Sequence, residues 1–463
     1  MLSAVFSVKA QETQPNIIWL VCEDQSPEFF PMYGDATVSL PNLEALAAES
    51  VKYTNMHATS PVCAPARSGI ITGMYPTTLG THNMRAYNMD KKENQKELGI
   101  PVYSPKFPEY IRPFPEYLRE AGYFCTNRDK EDYNYKIPQT AWDYSCHQRH
   151  CNEDDLYNKA HWRNRAEGQP FFSVFNFPIT HESKIWEQGK NKLFVDPDSV
   201  KVPPYFPNDS ITRHDMAVNY SNLVRLDQQL GKIIAQLKKD GLYENSYIFF
   251  YSDHGGPFPR HKRAIYQTGA LAPLLVKYPK AANAGSVVDD LVSFIDFAPT
   301  VLQLAGVTPP EYLQGHAFLG KKTPHQRNYL VTGSDRFDGQ FDRVRAIRNQ
   351  RYKFIRNYYP EKAHALKVSY REQMPMMQNL NRLFKAGKLN PDQARWLRAP
   401  RPEFEFYDLE KDPYELNNLI GQNEHQKIIA ELKGALKQWI QDSGDLGEIS
   451  EYTLIERSLE KGK

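Results

Sequence analysis

The sequence predicts an α/β fold in which a large, mainly parallel sheet is sandwiched by helices, followed by a smaller C-terminal α+β domain. At 463 residues the chain is longer than one ordinary core requires, which favours two domains. Short uninterrupted apolar runs indicate strands that are buried on both faces. Helical patterns lie between these runs, and such alternation is typical of an α/β sandwich.

Four apolar runs predict strands of the large sheet: residues 16–21 (NIIWLV), 171–177 (FFSVFNF), 247–251 (YIFFY) and 274–276 (LLV). The clearest helix is predicted over residues 215–239, where Leu230 and Leu237 continue a near-helical apolar spacing and Gly241 ends it. A second helix is predicted over residues 296–304. These elements supply the strands and helices of the first domain.

The last part of the chain has a different pattern. It predicts two strands within residues 344–358, a third over residues 404–408 and an amphipathic helix over residues 424–440. A small antiparallel sheet with a terminal helix is expected from this order. We therefore expect a main domain over residues 11–325 and a smaller α+β domain over residues 326–463.

The N-terminal segment bears on the cellular location of the protein. Residues 1–10 (MLSAVFSVKA) are apolar and end in a small-x-small pattern, which resembles the end of a secretory signal. We expect a truncated signal there, with a frayed terminus as the alternative. No later run reaches the ~20 apolar residues that a membrane helix needs. The expectation is a periplasmic or secreted protein without a membrane span.

Charge and cysteine content exclude some classes of partner. The 57 basic and 55 acidic side chains nearly balance, so no overall positive field favours nucleic acid. The five cysteines are an odd number without a repeated Cys-x-x-Cys, which argues against a structural zinc site or a disulfide framework. Cys146 and Cys151 are near enough in sequence to pair in an oxidising compartment.

Reactive side chains follow three of the predicted strands. Glu23 and Asp24 follow the first strand, His181 follows the second, and Asp253 and His254 follow the third. An acidic pair after a strand is most often a solvated loop or a helix cap. Three such strand ends at one sheet edge instead indicate a ligand site, and carboxylates suit a hard divalent cation. His254 adds a possible nitrogen ligand beside these carboxylates.

The segment CAPARSGIITG, from Cys63 to Gly73, is the most specific feature. Pro65 is suited to the start of a helix, where its missing N–H would have no partner in any case. Cys63 would then lie just before a helix N-terminus, where free N–H groups favour negative charge. A reactive thiolate and an inert buried cysteine both remain open at this point.

The same segment resembles the signature of type I sulfatases of the alkaline phosphatase superfamily, Cys-x-Pro-Ser/Ala-Arg followed by Thr-Gly. The resemblance continues in order over most of the chain: the acidic pair at Glu23, the pair at Asp253, Lys262 with its Lys-x-x-x-Tyr-x-x-Gly spacing, and residues 404–419. Residues 127–134 and 181–183 also resemble a bacterial branch related to heparan N-sulfatases and marine polysaccharide sulfatases.

The resemblance implies a mechanism. A formylglycine-generating enzyme would oxidise Cys63 to formylglycine, whose hydrate would attack the sulfur of a sulfate ester. A divalent cation beside it would be held by Glu23, Asp24, Asp253 and His254, with Ca²⁺ favoured over Mg²⁺. Arg67 would support this nucleophile. Lys130 and Lys262 would clamp the sulfate, and His181 would be the general acid towards the leaving oxygen.

Two departures from the family pattern stand out. Glu23 is present where the family usually has Asp, so the metal geometry is expected to differ. Asp132 is present where a histidine usually assists catalysis. His261 or His82 could replace that histidine.

The expected substrate is a sulfated oligosaccharide or polysaccharide, such as a glycosaminoglycan or algal fragment, carrying an O-sulfate or an N-sulfate. His82, Arg85 and Arg263 are predicted to bind its anionic sugar. One alternative is a phosphonate or phosphate ester hydrolase of the same superfamily. The other is an inactive carbohydrate-binding relative, which the departure at Asp132 motivates.

Overall fold

The computed structural model describes residues 14–87, 99–147, 160–320 and 326–459. The predicted signal segment 1–10 and Cys151 lie outside these ranges. Cys146 is disulfide-bonded, whereas Cys22 and Cys125 are buried free thiols. Within the described ranges, no helix has the length and low polarity needed to cross a bilayer.

Strands of the described residues form a nine-stranded sheet and a four-stranded sheet. They are β1 (Asn16–Cys22), β2 (Val51–His57), β3 (Phe124–Asp129), β4 (Tyr144–His147), β5 (Phe171–Phe177), β6 (Ser246–Ser252), β7 (Leu271–Lys277), β8 (Val287–Val288), β9 (Val292–Ser293), β10 (Leu330–Ser334), β11 (Val344–Arg348), β12 (Tyr352–Asn357) and β13 (Phe404–Asp408). The large sheet has the order β4-β3-β5-β1-β6-β7-β2-β8, with β9 also paired to β2.

Helices flank these sheets. They are α1 (Pro41–Ala48), α2 (Cys63–Thr72), α3 (Pro76–Leu79), α4 (Phe114–Glu120), α5 (Ser183–Glu187), α6 (Ser210–Lys239), α7 (Gln267–Ala270), α8 (Phe297–Leu304), α9 (Pro375–Lys385), α10 (Pro391–Arg395), α11 (Gln426–Ser443) and α12 (Glu451–Leu459). The α6 helix begins at Ser210, earlier than predicted, because the Asp209 carboxylate accepts a 2.9 Å hydrogen bond from the backbone N–H of Thr212.

The large sheet is mixed but mainly parallel, as predicted. Strand β1 pairs in parallel with both β5 and β6. The predicted run at residues 274–276 lies in β7, which is antiparallel to β6 and β2. An apolar run predicts a strand that is buried on both faces, but it does not predict whether that strand is parallel or antiparallel to its neighbours.

Side chains of β1 alternate between two cores. Ile18 and Leu20 pack on the face covered by α1, α6 and α9. Trp19 packs on the opposite face with residues of α2, α4 and α8. Its ring lies edge-on to that of Phe297, with the two ring centroids 5.4 Å apart. The helices therefore sandwich the sheet, and its carboxyl edge remains open for a site.

The small sheet is antiparallel, with the order β10-β11-β12-β13. Leu432 and Leu436 of α11 cover one of its faces. The sheet also contacts the main body, since Gly333 donates a 2.9 Å hydrogen bond to the carbonyl of Thr59 and Lys353 donates one of 2.6 Å to the carbonyl of Ile265. It therefore lies against the segments around Thr59 and Ile265 of the main body.

Candidate active site

Two strand ends and one helix start meet at the carboxyl edge of the large sheet. Strand β1 leads into Glu23 and Asp24, and its parallel neighbour β6 leads into Asp253 and His254. Helix α2 begins with Cys63 beside them. Each of these five residues is at most 1% exposed. The predicted convergence of reactive groups is therefore present in the structure.

Cys63 is the first residue of α2, with Val62 in the N-cap position, rather than the residue before the helix. Pro65 is the third helical residue, where a backbone N–H would still lack an intrahelical partner. The Cys63 Sγ lies 3.3 Å from Nε2 of His254 and 3.7 Å from Oδ1 of Asp24. The thiol thus faces the acidic cluster.

Ligand-type atoms of Asp24, Cys63, Asp253 and His254 all lie within 4.8 Å of one another. Nε2 of His254 is 3.0 Å from Oδ1 of Asp24 and 3.8 Å from Oδ1 of Asp253. Two carboxylates and an imidazole without intervening bulk make a donor set for a divalent cation. These residues therefore fit a metal that the family resemblance implies.

Glu23 lies in a second, overlapping group with Asp24 and His181. Its Oε2 accepts a 2.9 Å hydrogen bond from Lys130, whereas its buried Oε1 has no hydrogen-bond partner among the described residues. Burial raises the pKa of Glu23, and Lys130 opposes that effect. A cation near Oε1 would satisfy the orphaned oxygen, so Glu23 also fits the metal group.

Arg67 joins two strand ends. Its Nε donates a 3.0 Å hydrogen bond to Oδ2 of Asp253, and its Nη1 donates one of 2.7 Å to Oδ1 of Asn176 in β5. Burial alone would lower the pKa of Arg67, but Asp253, Glu23 and Cys63 outweigh it and raise that pKa. Arg67 therefore remains a fixed positive charge beneath Cys63.

Two lysines contact carboxylates of the cluster. Lys130 contacts Glu23 at 2.9 Å and Asp132 at 3.7 Å. Lys262 donates a 2.7 Å hydrogen bond to Oδ2 of Asp24. Burial would lower both lysine pKa values, yet neighbouring groups raise them, chiefly Cys63 and Glu23 for Lys130 and Asp24 for Lys262. Both amines are charged.

His181 lies next to Lys262, with its Nε2 3.1 Å from the Lys262 Nζ. An ammonium group only donates, so Nε2 faces a donor in Lys262. Nδ1 faces a second donor, the backbone N–H of Ser183 at 3.3 Å, and lies 3.2 Å from the Ser183 Oγ. Both ring nitrogens therefore face hydrogen-bond donors. Burial and then Lys262 lower the His181 pKa well below its usual value.

His254 has the opposite electrostatic environment. Burial would lower its pKa, but Asp253, Cys63 and Asp24 raise it to about 10. In the absence of a cation, the protonated imidazole offsets part of the charge of the two carboxylates. Metal binding would require loss of that proton, because only the neutral imidazole nitrogen can ligate.

The loop that carries Lys262 is held close to the strand end by glycines. Gly255 donates a 2.9 Å hydrogen bond to the carbonyl of Gly269. A Cβ on Gly255 would lie 2.1 Å from the carbonyl oxygen of Thr268, and one on Gly269 would lie 2.0 Å from that of Ala264. Only glycine permits this backbone approach at both positions.

The two histidines proposed to replace the usual one at Asp132 differ in position. His261 stacks against Phe29 and Phe206, and its Nε2 is 3.0 Å from the Tyr205 hydroxyl, so the structure directs it away from Cys63. His82 is buried in the loop that follows α3, and its Nδ1 has no hydrogen-bond partner in the described part of the chain. Asp132 itself is ionised beside Lys130; burial would raise its pKa, but Lys130 and Arg85 lower it.

The predicted substrate-binding arginines, Arg85 and Arg263, meet at one acidic residue, and Arg263 pairs with a second. Arg263 makes two 2.8 Å hydrogen bonds to Glu182, which also lies 3.2 Å from Lys262. Arg85 and Arg263 lie 3.5 and 3.4 Å from the carboxylate of Asp338. The structure thus brings Arg85 and Arg263 together through Asp338.

Three residues of this site were not predicted. Asn176 could have been noticed as a polar residue inside the apolar run 171–177. Glu182 is adjacent to the predicted His181, but its pairing with Arg263 follows only from the fold. Asp338 comes from the loop after β10, and no local pattern links it to Arg85.

Comparison with known proteins decides the family. A family model described as Sulfatase matches residues 15–307, and one described as N-sulphoglucosamine sulphohydrolase, C-terminal, matches residues 256–388. The chain belongs to the sulfatase family. It is a sulfuric ester hydrolase, and the ordered resemblance along its sequence is confirmed.

Several relatives of this sulfatase are known. An ulvan-active sulfatase of Formosa agariphila is 42% identical, with 96% of this chain and 78% of that protein covered. Human N-sulphoglucosamine sulphohydrolase is 22% identical, with 93% and 90% covered. A solved structure described as bound to its substrate D-glucosamine-2-N,6-O-disulfate has a TM-score of 0.66 and 20% identity, with 93% and 98% covered. The predicted fold is confirmed.

Proposed function

We propose that this sulfatase releases sulfate from sulfated carbohydrates such as glycosaminoglycan or algal polysaccharide fragments, with N-sulfate as the alternative linkage to O-sulfate. The observation that carries the proposal is the position of the Cys63 Sγ, 3.7 Å from Asp24 and 3.3 Å from His254 in a buried cluster. The 42% identical ulvan-active relative supports a polysaccharide substrate.

The proposed metal ligands are Glu23, Asp24, Asp253 and His254. We favour Ca²⁺ over Mg²⁺, because a carboxylate-rich group of uneven reach suits the flexible coordination of Ca²⁺ better than a strict octahedron. When bound, the ion supplies a Lewis acid that polarises a sulfate oxygen. The buried carboxylates of Asp24 and Asp253 then have the countercharge that burial demands.

Cys63 is the proposed site of formylglycine, made by a formylglycine-generating enzyme. The hydrated aldehyde supplies a nucleophilic oxygen that a plain thiol lacks. Arg67 holds Asp253 beside it through the 3.0 Å hydrogen bond. Lys130 and Lys262 provide preorganised positive charge for the sulfate oxygens on either side.

The leaving oxygen of the sugar requires a proton. His181 is the proposed general acid, and Lys262, 3.1 Å from its Nε2, is the adjacent charged donor. Because burial keeps the His181 ring neutral, His181 would first take a proton at Nε2 from the Lys262 ammonium and then give it to the leaving oxygen, which leaves Lys262 as a neutral amine. His82, Arg85 and Arg263 are the proposed contacts to the anionic sugar.

The proposed location is the periplasm or the exterior. The disulfide at Cys146 supports it, because disulfides persist mainly in oxidising compartments. The apolar N-terminal segment 1–10 supports it as well.

The decisive experiment is mass spectrometry of the Cys63 peptide, from protein produced with a formylglycine-generating enzyme, combined with sulfate release from ulvan oligosaccharides. We expect the mass of the aldehyde, and activity that Cys63→Ala abolishes. Paired aryl sulfate and aryl phosphate substrates separate the sulfatase from a phosphate ester hydrolase. Tight oligosaccharide binding without sulfate release by converted protein would support the inactive binding relative instead.

A further inference from the structure

A tight turn after β10 forms part of the wall around Cys63. Phe337 and Gln340 exchange two backbone hydrogen bonds, of 3.1 and 2.9 Å. The Phe337 side chain packs in one buried cluster with Cys63 and Met84. The turn therefore places its next residue, Asp338, close to the reacting position.

The turn is fixed from behind by a buried ion pair. Arg336 pairs with Glu451 of α12 through both carboxylate oxygens. The Arg336 Nη1 also donates to the carbonyls of Met84 and Asp338, at 3.0 and 2.6 Å. A side chain carried by such an anchored backbone is preorganised.

The Asp338 carboxylate lies between Arg85 and Arg263, at 3.5 and 3.4 Å. All three residues have left-handed backbone conformations, with φ of 46° for Asp338, 60° for Arg85 and 72° for Arg263. This conformation is uncommon for residues other than glycine, and it concentrates at ligand-binding sites. Three such residues converge here from separate parts of the chain.

The Asp338 carboxylate is incompletely satisfied. Its Oδ2 faces the Nε of Arg263 without hydrogen-bond geometry, and neither atom has another hydrogen-bond partner among the described residues. Asp338 is only 9% exposed, so a missing donor is costly. The two arginines offset its charge, which allows a carboxylate to remain near an anionic substrate.

The other charged groups around Cys63 are either donors or carboxylates that already have partners. Arg67, Lys130, Lys262, Arg85 and Arg263 only donate hydrogen bonds, which suits the sulfate but not the hydroxyls of its sugar. Glu23, Asp24 and Asp253 are proposed metal ligands, Glu182 pairs with Arg263 and Lys262, and Asp132 faces Lys130. A sugar hydroxyl is a donor that needs an acceptor. Asp338 provides one beside the sulfate clamp.

We propose that Asp338, held between Arg85 and Arg263, is a specificity-determining residue that accepts a hydrogen bond from a sugar hydroxyl next to the sulfated position. This inference rests on the proposed carbohydrate sulfatase function. It assigns the substrate class of this subsite as a sulfated sugar with a free neighbouring hydroxyl, rather than any sulfate ester.

The test compares converted wild-type enzyme with Asp338→Asn and Asp338→Ala on two probes, ulvan oligosaccharides and 4-nitrophenyl sulfate, whose ring has no hydroxyl. Loss of a charged hydrogen bond lowers kcat/KM on the oligosaccharide by about 10- to 100-fold. Activity on 4-nitrophenyl sulfate stays within about twofold, which also shows that the variants fold. Asp408→Asn is the control, because Asp408 pairs with Arg351 outside the pocket.

An equal loss on both probes would assign Asp338 a purely structural role and overturn the inference, as would unchanged oligosaccharide activity. If the wild-type enzyme releases sulfate from neither probe, the proposed function is contradicted, and the inference, which depends on it, is contradicted as well. A preserved aryl activity with a selective oligosaccharide loss supports both.

Discussion

The Lys262 Nζ lies 2.7 Å from Oδ2 of Asp24, so a buried ammonium ion contacts a carboxylate that is also a proposed metal ligand. Oδ1 of Asp24 faces His254 at 3.0 Å. The carboxylate therefore divides its two oxygens between Lys262 and the side on which the metal is proposed to bind. We expect binding of that metal to be coupled to the orientation of Lys262.

Removal of divalent cations should destabilise the protein and abolish sulfate release. Chelation leaves Asp24 and Asp253 with less countercharge in a buried site. An ion present at a hundred times its Kd stabilises the fold by about 2.7 kcal/mol, so the Tm should fall on treatment with EGTA. Calorimetry with and without EGTA, followed by Ca²⁺ or Mg²⁺ addition, measures this. An unchanged Tm and activity would contradict the metal proposal.

Glu23→Gln should weaken Ca²⁺ binding without removing it. The substitution deletes the charge at the orphaned Oε1 while preserving the size of the side chain. Lys130 then loses its 2.9 Å ionic partner, and the sulfate clamp becomes less well positioned. Titration of apoprotein with Ca²⁺ should show about tenfold weaker affinity. Equal affinities for the variant and the wild type would remove Glu23 from the ligand set.

Arg67→Ala should be strongly destabilising. It leaves Asp253 as a buried carboxylate without its 3.0 Å partner, and loss of one member of a buried ion pair costs about 3–5 kcal/mol. Arg67→Lys restores the charge but cannot reach both Asp253 and Asn176 with a planar fork. Urea unfolding should therefore rank wild type above Arg67→Lys above Arg67→Ala. Stability of Arg67→Ala equal to wild type would refute this role.

Glu182→Gln should destabilise the wall of the pocket by about 3 kcal/mol, because it removes a buried partner of both Arg263 and Lys262. Glu187→Gln is a matched control in the next helix, where Glu187 pairs with Lys184 at the surface. Exposed pairs contribute about 0–1 kcal/mol, so the control should remain close to wild type in urea unfolding. Equal losses of unfolding free energy for the two substitutions would show that the buried pairs of Glu182 stabilise the protein no more than an exposed pair does.

Asp445 should make stability depend on pH at the acid end. Burial would raise its pKa, but Arg345 holds it at about 2, below the ordinary value of 3.8. The stabilisation is therefore fully present above the unfolded pKa and is lost as the pH falls through the folded one. It amounts to about 2 kcal/mol at neutral pH and roughly half of that at pH 3. Urea unfolding of Asp445→Asn and wild type at neutral pH and at pH 3 measures this. The difference between their free energies of unfolding should be smaller at pH 3, and an equal difference at both pH values would contradict the prediction.

Much of this fold follows from patterns that are local in sequence. The runs over residues 16–21 and 171–177 predict buried strands because nearly all of their side chains are apolar on both faces. The direction of β7 was not predictable, because parallel and antiparallel central strands bury the same residues. The start of α6 at Ser210 depended on the Asp209 cap, which lies before the apolar periodicity begins.

The candidate site also has a part that was predictable and a part that was not. The meeting of its residues at one sheet edge was predictable, since parallel strands point their carboxyl ends together and polar residues followed three of them. The different contacts made by residues adjacent in sequence were not predictable. Glu23 pairs with Lys130, whereas Asp24 adopts a left-handed φ of 55° and contacts Lys262.

The sequence by itself therefore determined the family, the buried strands, and the types of reactive group at their ends. Only the tertiary structure decided that His261 stacks among aromatic rings while its neighbour Lys262 reaches Asp24, and that Asp338 joins Arg85 to Arg263. The physical reason is that strand burial is encoded by local apolar periodicity. The direction of a loop side chain depends instead on backbone dihedrals and on partners hundreds of residues away, which no local pattern specifies.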